Sequence, residues 1–284
     1  MLLPAPSFVD SLTARPWAQS RVPGLELSNA NVTIALQKMS SLPHALANPV
    51  MTRRSVFWSQ YFYFFMSLLV AAVIVYGFSH TVDQNLIHPK IPRPRLLYFH
   101  AALFTGWLGF FILQSLLVRT HNMPIHRTIG WFGAGMGTLI PLVGVATAVT
   151  MARFDMVQLK MNNADADMII PMWDMVAFTP AFVLAIYWRK KPEFHRRLIL
   201  IATCALTAAG WGRFPEWLLP PVIFYAGVDL LILLGVFRDW IVNREVHPVY
   251  SYALPALIAG QTVVMYANLH KSPVWMRIAH ALLR

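Results

Sequence analysis

Seven stretches of this chain are almost continuously apolar, and each is long enough to cross a lipid bilayer. A helix needs about 20 apolar residues to span the hydrocarbon core. None of the stretches shows the alternation of apolar and polar residues that is typical of a transmembrane β-strand. The sequence therefore predicts an all-α transmembrane helix bundle with about seven spans. The predicted spans are approximately 57–78, 97–118, 129–150, 168–188, 197–213, 219–237 and 249–268.

The composition excludes a soluble protein and narrows the expected partners. Hydrophobic residues make up 57% of the chain and charged residues only 12%, whereas roughly a quarter of a soluble domain is charged. The net charge of +11 favours contact with anionic lipid headgroups. No basic and aromatic soluble segment is present to hold a nucleic acid. The expected partners are therefore membrane lipids, together with another membrane protein or a second copy of the chain.

Three polar joints between the predicted spans resemble one another, because each begins with Arg and ends with His. Their sequences are R-T-H-N-M-P-I-H at 119–126, R-K-K-P-E-F-H at 189–195 and R-D-W-I-V-N-R-E-V-H at 238–247. Short joints make the helices on either side antiparallel neighbours. The pattern predicts three similar hairpins preceded by a leading helix, with all three joints on the same side of the membrane.

The distribution of Lys and Arg predicts the orientation. If the N-terminus is inside, the inside segments hold 14 of these residues and the outside segments hold 9. Cytoplasmic segments are enriched in Lys and Arg, so we expect a cytoplasmic N-terminus and a periplasmic C-terminus. Residues 1–52 lack an apolar span and predict a disordered extension, or a true start at Met51. Residues 53–270 form the predicted membrane domain, and 271–284 a short basic amphipathic tail lying on the membrane.

The histidines that close the joints are candidate ligands. If their helices are neighbours, His126, His195 and His247 form a ring at the cytoplasmic boundary. Imidazole suits zinc, iron or copper, and two of the three could instead clasp a haem between helices. The competing interpretation is that these residues and the adjoining arginines bind lipid headgroups. The cofactor is therefore left open between haem, a transition metal and none.

Polar residues inside the predicted spans mark a second candidate site. Such residues are costly in hydrocarbon and normally face the interior of the bundle. They are His100, Gln114, Asp174, Arg213, Asp229 and Gln261. We expect His100, Arg213 and the two aspartates to converge in the outer half, with His100 as an axial ligand or proton carrier. The alternative is a set of unrelated ion pairs that fix the rotation of each helix.

The third predicted span carries a smooth face of small residues. Gly130, Gly133, Gly137, Gly144 and Ala148 recur at helical spacing. Small residues let a second helix, or a flat ligand, approach the backbone closely. We therefore expect close helix packing along this face.

The joints also carry a resemblance. The segments H-R-T-I-G-W (126–131), R-K-K-P-E-F-H-R-R-L (189–198) and R-E-V-H-P (244–248) resemble those of a group of uncharacterised bacterial multi-pass inner-membrane proteins. The resemblance covers roughly 97–250. It implies a bacterial inner-membrane location and a helical membrane fold, and it implies no particular reaction.

Three functions stay open at this point. The first is a haem- or metal-binding redox component or assembly factor that uses the joint histidines. The second is a small-solute or ion transporter in which Asp174, Asp229 and Gln261 line a path. The third is a membrane zinc hydrolase with Glu193 or Glu245 as its base. Seven-helix zinc hydrolases of the progestin-receptor and ceramidase type also present inner-side histidines, but this chain lacks their paired His at i and i+4 on a late helix.

Overall fold

The computed structural model describes the backbone from Arg53 to Arg284 and the side chains from Gln60 onward, and this part of the chain is helical without a strand. The predicted extension at 1–52 lies outside the described residues. The α-helices are α1 (Arg53–Ser79), α2 (Arg95–Arg119), α3 (Met123–Val157), α4 (Ala164–Asp167), α5 (Ile169–Tyr187), α6 (Pro192–Ala205), α7 (Ala208–Trp211), α8 (Tyr225–Asn243), α9 (Pro248–Leu269) and α10 (Pro273–Leu283). A π-helical turn (Asp83–Ile87) follows α1, and a 3₁₀ turn (Pro221–Ile223) precedes α8.

Four helical segments in the described residues are long and apolar enough to cross a membrane. They are Gln60–Ser79, Arg95–Arg119, Met123–Val157 and Ala164–Tyr187. The all-α fold and its membrane character agree with the prediction, while the count of seven spans stays a prediction. The predicted span 197–213 is not one helix, because α6 ends at Ala205 and a separate short helix follows. In α8 the aspartates and Arg238 interrupt the apolar run.

Helices that follow one another in the chain pack side by side. The closest neighbours are α2 with α3 and α5 with α6, and α1 lies against α2, α7 and α8. An aromatic cluster fills the space between α2 and α5. Trp107 meets the ring of Phe178 edge-on at 5.7 Å between centroids, and Phe178 stacks on Phe182 at 5.4 Å. Such ring pairs stabilise a core beyond the area that they bury.

The smooth face of α3 receives large side chains from its neighbours. A Cβ added at Gly133 would overlap the ring of Phe110 on α2, and one at Gly137 would overlap the ring of Phe182 on α5. At Gly144 the neighbour is the side chain of Met175 on α5. The expected close packing along this face is therefore confirmed, and large apolar side chains fill it at these three glycines.

The tail forms α10, which docks on the protein at the end of α3. Ala279 is fully buried, and the Trp275 indole N–H donates to the Asp165 carbonyl oxygen at 3.1 Å. His280 lies 3.1 Å from the Asp165 carboxylate. The opposite face of α10 leaves apolar side chains uncovered, which fits the expectation that this tail lies on a membrane surface. They are Val274, Ile278 and Leu282.

Candidate functional site

Side-chain contacts bring the three joints together at one end of the bundle. The rings of His126 and His195 lie 6.4 Å apart between centroids, and the ring of His247 meets Phe194 at 4.7 Å. The first half of α1 reaches the same end, because Tyr63 lies under the guanidinium groups of Arg196 and Arg238. The joints therefore share one surface in the fold.

His126 and His195 face each other from the first turns of α3 and α6. The Nδ1 of His195 lies 2.9 Å from the carbonyl oxygen of Ala185. A carbonyl only accepts, so this nitrogen carries the proton and the Nε2 of the neutral ring keeps a free lone pair. The Nδ1 of His126 is buried and has no hydrogen-bond partner. The pair thus offers two imidazole nitrogens that no group in the described part of the chain uses. Holding one ring nitrogen on a carbonyl is how proteins orient a ligating histidine.

His247 has a different role in the fold. It is the N-cap of α9, where its Nδ1 accepts a hydrogen bond from the Val249 amide at 3.2 Å. In the neutral ring, accepting at Nδ1 places the proton on Nε2. Within the part of the chain that the structure describes, no group of three or more His, Cys, Asp or Glu is arranged to hold a metal ion. The structure thus pairs His126 with His195, and it engages His247 in a helix cap.

The cap at His247 should make the stability of the protein depend on pH. Burial and the positive charge of Arg197 lower the pKa of His247 below its ordinary value of 6.5. The neutral cap therefore contributes stability above about pH 6.5, and this contribution is lost as the pH falls toward the lowered pKa. We expect His247→Ala to cost about 1 kcal/mol at pH 8 and the difference from wild type to shrink at pH 5.

Thermal unfolding of both proteins in detergent between pH 5 and 8 measures this effect. His247→Asn is the matched control, because Asn keeps a capping oxygen that does not titrate. A cost for His247→Ala that is the same at pH 5 and pH 8 would contradict the cap.

A buried ion cluster between α6 and α8 was not anticipated from the sequence. Arg197 donates to both carboxylate oxygens of Asp239 at 2.7 Å, and Arg238 donates to the same carboxylate at 2.9 Å. The three side chains are at most 1% exposed. A bidentate pair of this kind joins two helices with defined geometry. The signal available in the sequence was the presence of adjacent charges at two joints, Arg196-Arg197 and Arg238-Asp239.

Glu193 completes the cluster at its exposed edge. Its carboxylate accepts from Arg197 at 2.6 Å and from Arg196 at 2.5 Å. Burial acts to raise the pKa of Glu193, but the hydrogen bond from Arg197 and the charge of Arg196 outweigh it and hold the pKa below its usual range. A carboxylate with a low pKa is a weak general base. The geometry therefore disfavours Glu193 as the base of a hydrolase.

Asp174 and Asp229 each accept a hydrogen bond from a neutral donor. The hydroxyl of Tyr225 on α8 donates to Asp174 on α5 at 3.0 Å. The side-chain amide of Gln261 on α9 donates to Asp229 on α8 at 3.1 Å. These bonds connect α5 to α8 and α8 to α9, and they give each carboxylate a hydrogen-bond partner.

The remaining polar residues divide between the two ends. The side-chain amide of Gln114 donates to the backbone oxygen of His126 at 3.4 Å, which places Gln114 at the joint end. His100 and Arg213 line one cavity of about 590 Å³ with the C-terminal part of α1, and neither Asp174 nor Asp229 is among the residues that line it. The expected outer cluster is thus represented by His100 and Arg213, while the aspartates join α5, α8 and α9.

No protein-family model, curated protein or solved structure matches this chain. The functional assignment therefore depends on the geometry of its own side chains. Two features can act chemically: a pair of imidazoles at the joint end and a cavity with a cation at the opposite end.

Proposed function

We propose that this chain is a bacterial inner-membrane protein with seven crossings, a cytoplasmic N-terminus and a periplasmic C-terminus. The seven apolar runs, the excess of Lys and Arg in the joints and the resemblance of the joint motifs support this placement. Joints on the same side of a membrane must be separated by an even number of crossings. The contacts among the three joints fit this requirement. In this orientation His126 and His195 lie at the cytoplasmic boundary.

We propose further that the protein is a haem- or metal-binding redox component or assembly factor, with His126 and His195 as paired ligands. The observation that carries this proposal is the 6.4 Å separation of their ring centroids. With metal–nitrogen bonds of about 2 Å, the ring centres of two imidazoles that shared one metal would lie at most roughly 6 Å apart. The observed separation is close to this distance, which supports the proposal.

The surroundings of the pair fit haem better than an isolated metal ion. Two imidazoles would be enough to hold a haem iron, whereas an isolated zinc would need further ligands that the described residues do not group there. Arg127 adjoins His126 in the chain, and Arg196 adjoins His195; the Nε of Arg196 has no hydrogen-bond partner among the described residues, while its Nη2 pairs with Glu193. These cations suit the carboxylates of haem. When bound, haem would supply one-electron redox chemistry.

The test is the visible spectrum and the metal content of the protein purified in mild detergent, both as isolated and after addition of haemin. We expect a Soret band in the wild type, and a loss of at least about tenfold in bound haem for His126→Ala and His195→Ala. His247→Asn is the matched control, because it removes an imidazole at the same surface and keeps the α9 cap. It should retain the band.

Two results would contradict the proposal. One is a wild type that carries neither haem nor metal under both conditions. The other is a pair of variants, His126→Ala and His195→Ala, that keep the spectrum of the wild type.

A transporter is the second candidate, and the bond between Gln261 and Asp229 favours it. A carboxylate that accepts from an amide on the next helix can exchange that partner for a solute or a cation in a path between helices. Transport can be tested by comparing the uptake of solutes or cations into proteoliposomes that contain Asp229→Asn or Gln261→Glu. Neither substitution changes the histidine pair.

A further inference from the structure

A cavity of about 590 Å³ lies at the end of the bundle opposite to the joints. It is enclosed by the C-terminal part of α1, by α2, by the end of α3 and by the segment that follows α6. Its volume is in the range of about 300–1,000 Å³ that holds a ligand of moderate size. Most of the wall is aliphatic or aromatic, including Val70, Ile74, Phe104 and Leu108.

Three nitrogens of residues in this wall are buried without a hydrogen-bond partner within residues 60–284. The indole nitrogen of Trp107 is buried without a partner, and Trp107 itself is only 5% exposed. An indole N–H can only donate. The Nε of Arg93, which can also only donate, and the Nδ1 of His100, which donates in one of its two tautomers, are likewise buried and unpartnered. By contrast, the hydroxyl of Thr207 in this wall donates to the carbonyl of Cys204 at 2.6 Å. The cavity therefore calls for a ligand with acceptor oxygens.

The charge of the cavity also favours a ligand with acceptor oxygens. Arg93 is compensated by Asp155 at 3.7 Å. Arg213 takes part in none of the ion pairs found within residues 60–284; its guanidinium donates to the backbone oxygen of Ala209 and lies 4.2 Å from the ring centre of Phe78. An uncompensated guanidinium at the edge of an apolar cavity favours an anionic partner.

We propose that this cavity binds a single-chain lipid anion. The anionic group lies between Arg213 and His100, and the acyl chain follows the apolar wall formed by α1 and α2. Trp107 is seven residues from His100 on the same face of α2, so its Cα lies about 10 Å further along the helix, and its side chain also lines the cavity. Its indole N–H suits an ester or carbonyl oxygen on the ligand. The chemistry fits either a free fatty carboxylate or a lysophospholipid that carries a phosphate and one ester.

The experiment is native mass spectrometry of the protein in neutral detergent, with palmitate, lysophosphatidic acid or hexadecanol added. We expect one bound copy of at least one of the two anions and at least about tenfold weaker binding of hexadecanol, which lacks the charge that Arg213 would contact. Arg213→Gln should remove the preference for the anion, and Arg213→Lys should restore part of it. Arg95→Gln is the control, because this exposed arginine on α2 does not line the cavity.

Trp107→Phe identifies the source of the ligand. Loss of lysophosphatidic acid binding by Trp107→Phe assigns the ester-bearing lipid, whereas a wild type that binds palmitate and not lysophosphatidic acid assigns the free acid. The proposal is overturned if hexadecanol binds as well as the anions, or if Arg213→Gln folds with the wild-type melting temperature and keeps the same preference. None of these outcomes bears on the histidine pair, which lies at the other end of the bundle.

Discussion

Replacement of Asp239 with leucine is expected to destabilise the protein by about 3–5 kcal/mol, because it leaves two buried guanidinium groups without their carboxylate. Arg197 and Arg238 both donate to Asp239, and neither is more than 1% exposed. Arg197 would keep only its bonds to the carboxylate and the backbone oxygen of Glu193, and Arg238 would lose its only ion pair among the described residues. Removing one partner of a buried ion cluster costs more free energy of folding than the whole cluster contributes relative to apolar residues in the same place.

The free energy of unfolding in a mixed-micelle denaturant series measures this effect. Arg196→Gln is the matched control. Its side chain is 30% exposed and pairs with Glu193 at the edge of the same cluster, so we expect a change of no more than about 1 kcal/mol. Similar free energies of unfolding for Asp239→Leu and Arg196→Gln would show that the cluster is solvated. Its contribution to stability would then not depend on burial.

Replacement of Gly77 with alanine is expected to separate α1 from α7. A Cβ at Gly77 would overlap the carbonyl oxygen of Gly210 and lie 2.8 Å from its carbonyl carbon. Both atoms belong to the backbone, so no side chain can rotate away. Overpacking of this kind costs about 1–3 kcal/mol, which exceeds the gain of about 1 kcal/mol that alanine usually brings to a helix interior.

Gly109→Ala on α2 is the control, because an added Cβ there meets nothing within 4 Å. We expect Gly109→Ala to leave the melting temperature unchanged or raise it, and Gly77→Ala to lower it by several degrees, as measured by intrinsic fluorescence in detergent. A melting temperature for Gly77→Ala at or above that of Gly109→Ala would mean that the two helices do not approach as closely as the structure indicates.

The sequence by itself determined the class of fold and the course of several helices. The apolar runs at 57–78, 97–118 and 168–188 predicted α1, α2 and α5 to within a few residues at most ends. Apolar length is local information that one segment carries alone, because the bilayer sets it. The glycine face of α3 was visible for the same reason: its spacing follows the helical period.

Only the tertiary structure decided which polar groups meet. The bond between Arg197 and Asp239 joins residues 42 positions apart, and the bond between Tyr225 and Asp174 joins residues 51 positions apart. The pairing of His126 with His195 and the use of His247 as a cap likewise depend on how each helix is rotated about its axis. That rotation is set by the side chains of neighbouring helices packing into one another. Local periodicity therefore indicates that a residue faces the interior, whereas its partner depends on the packing of the whole bundle.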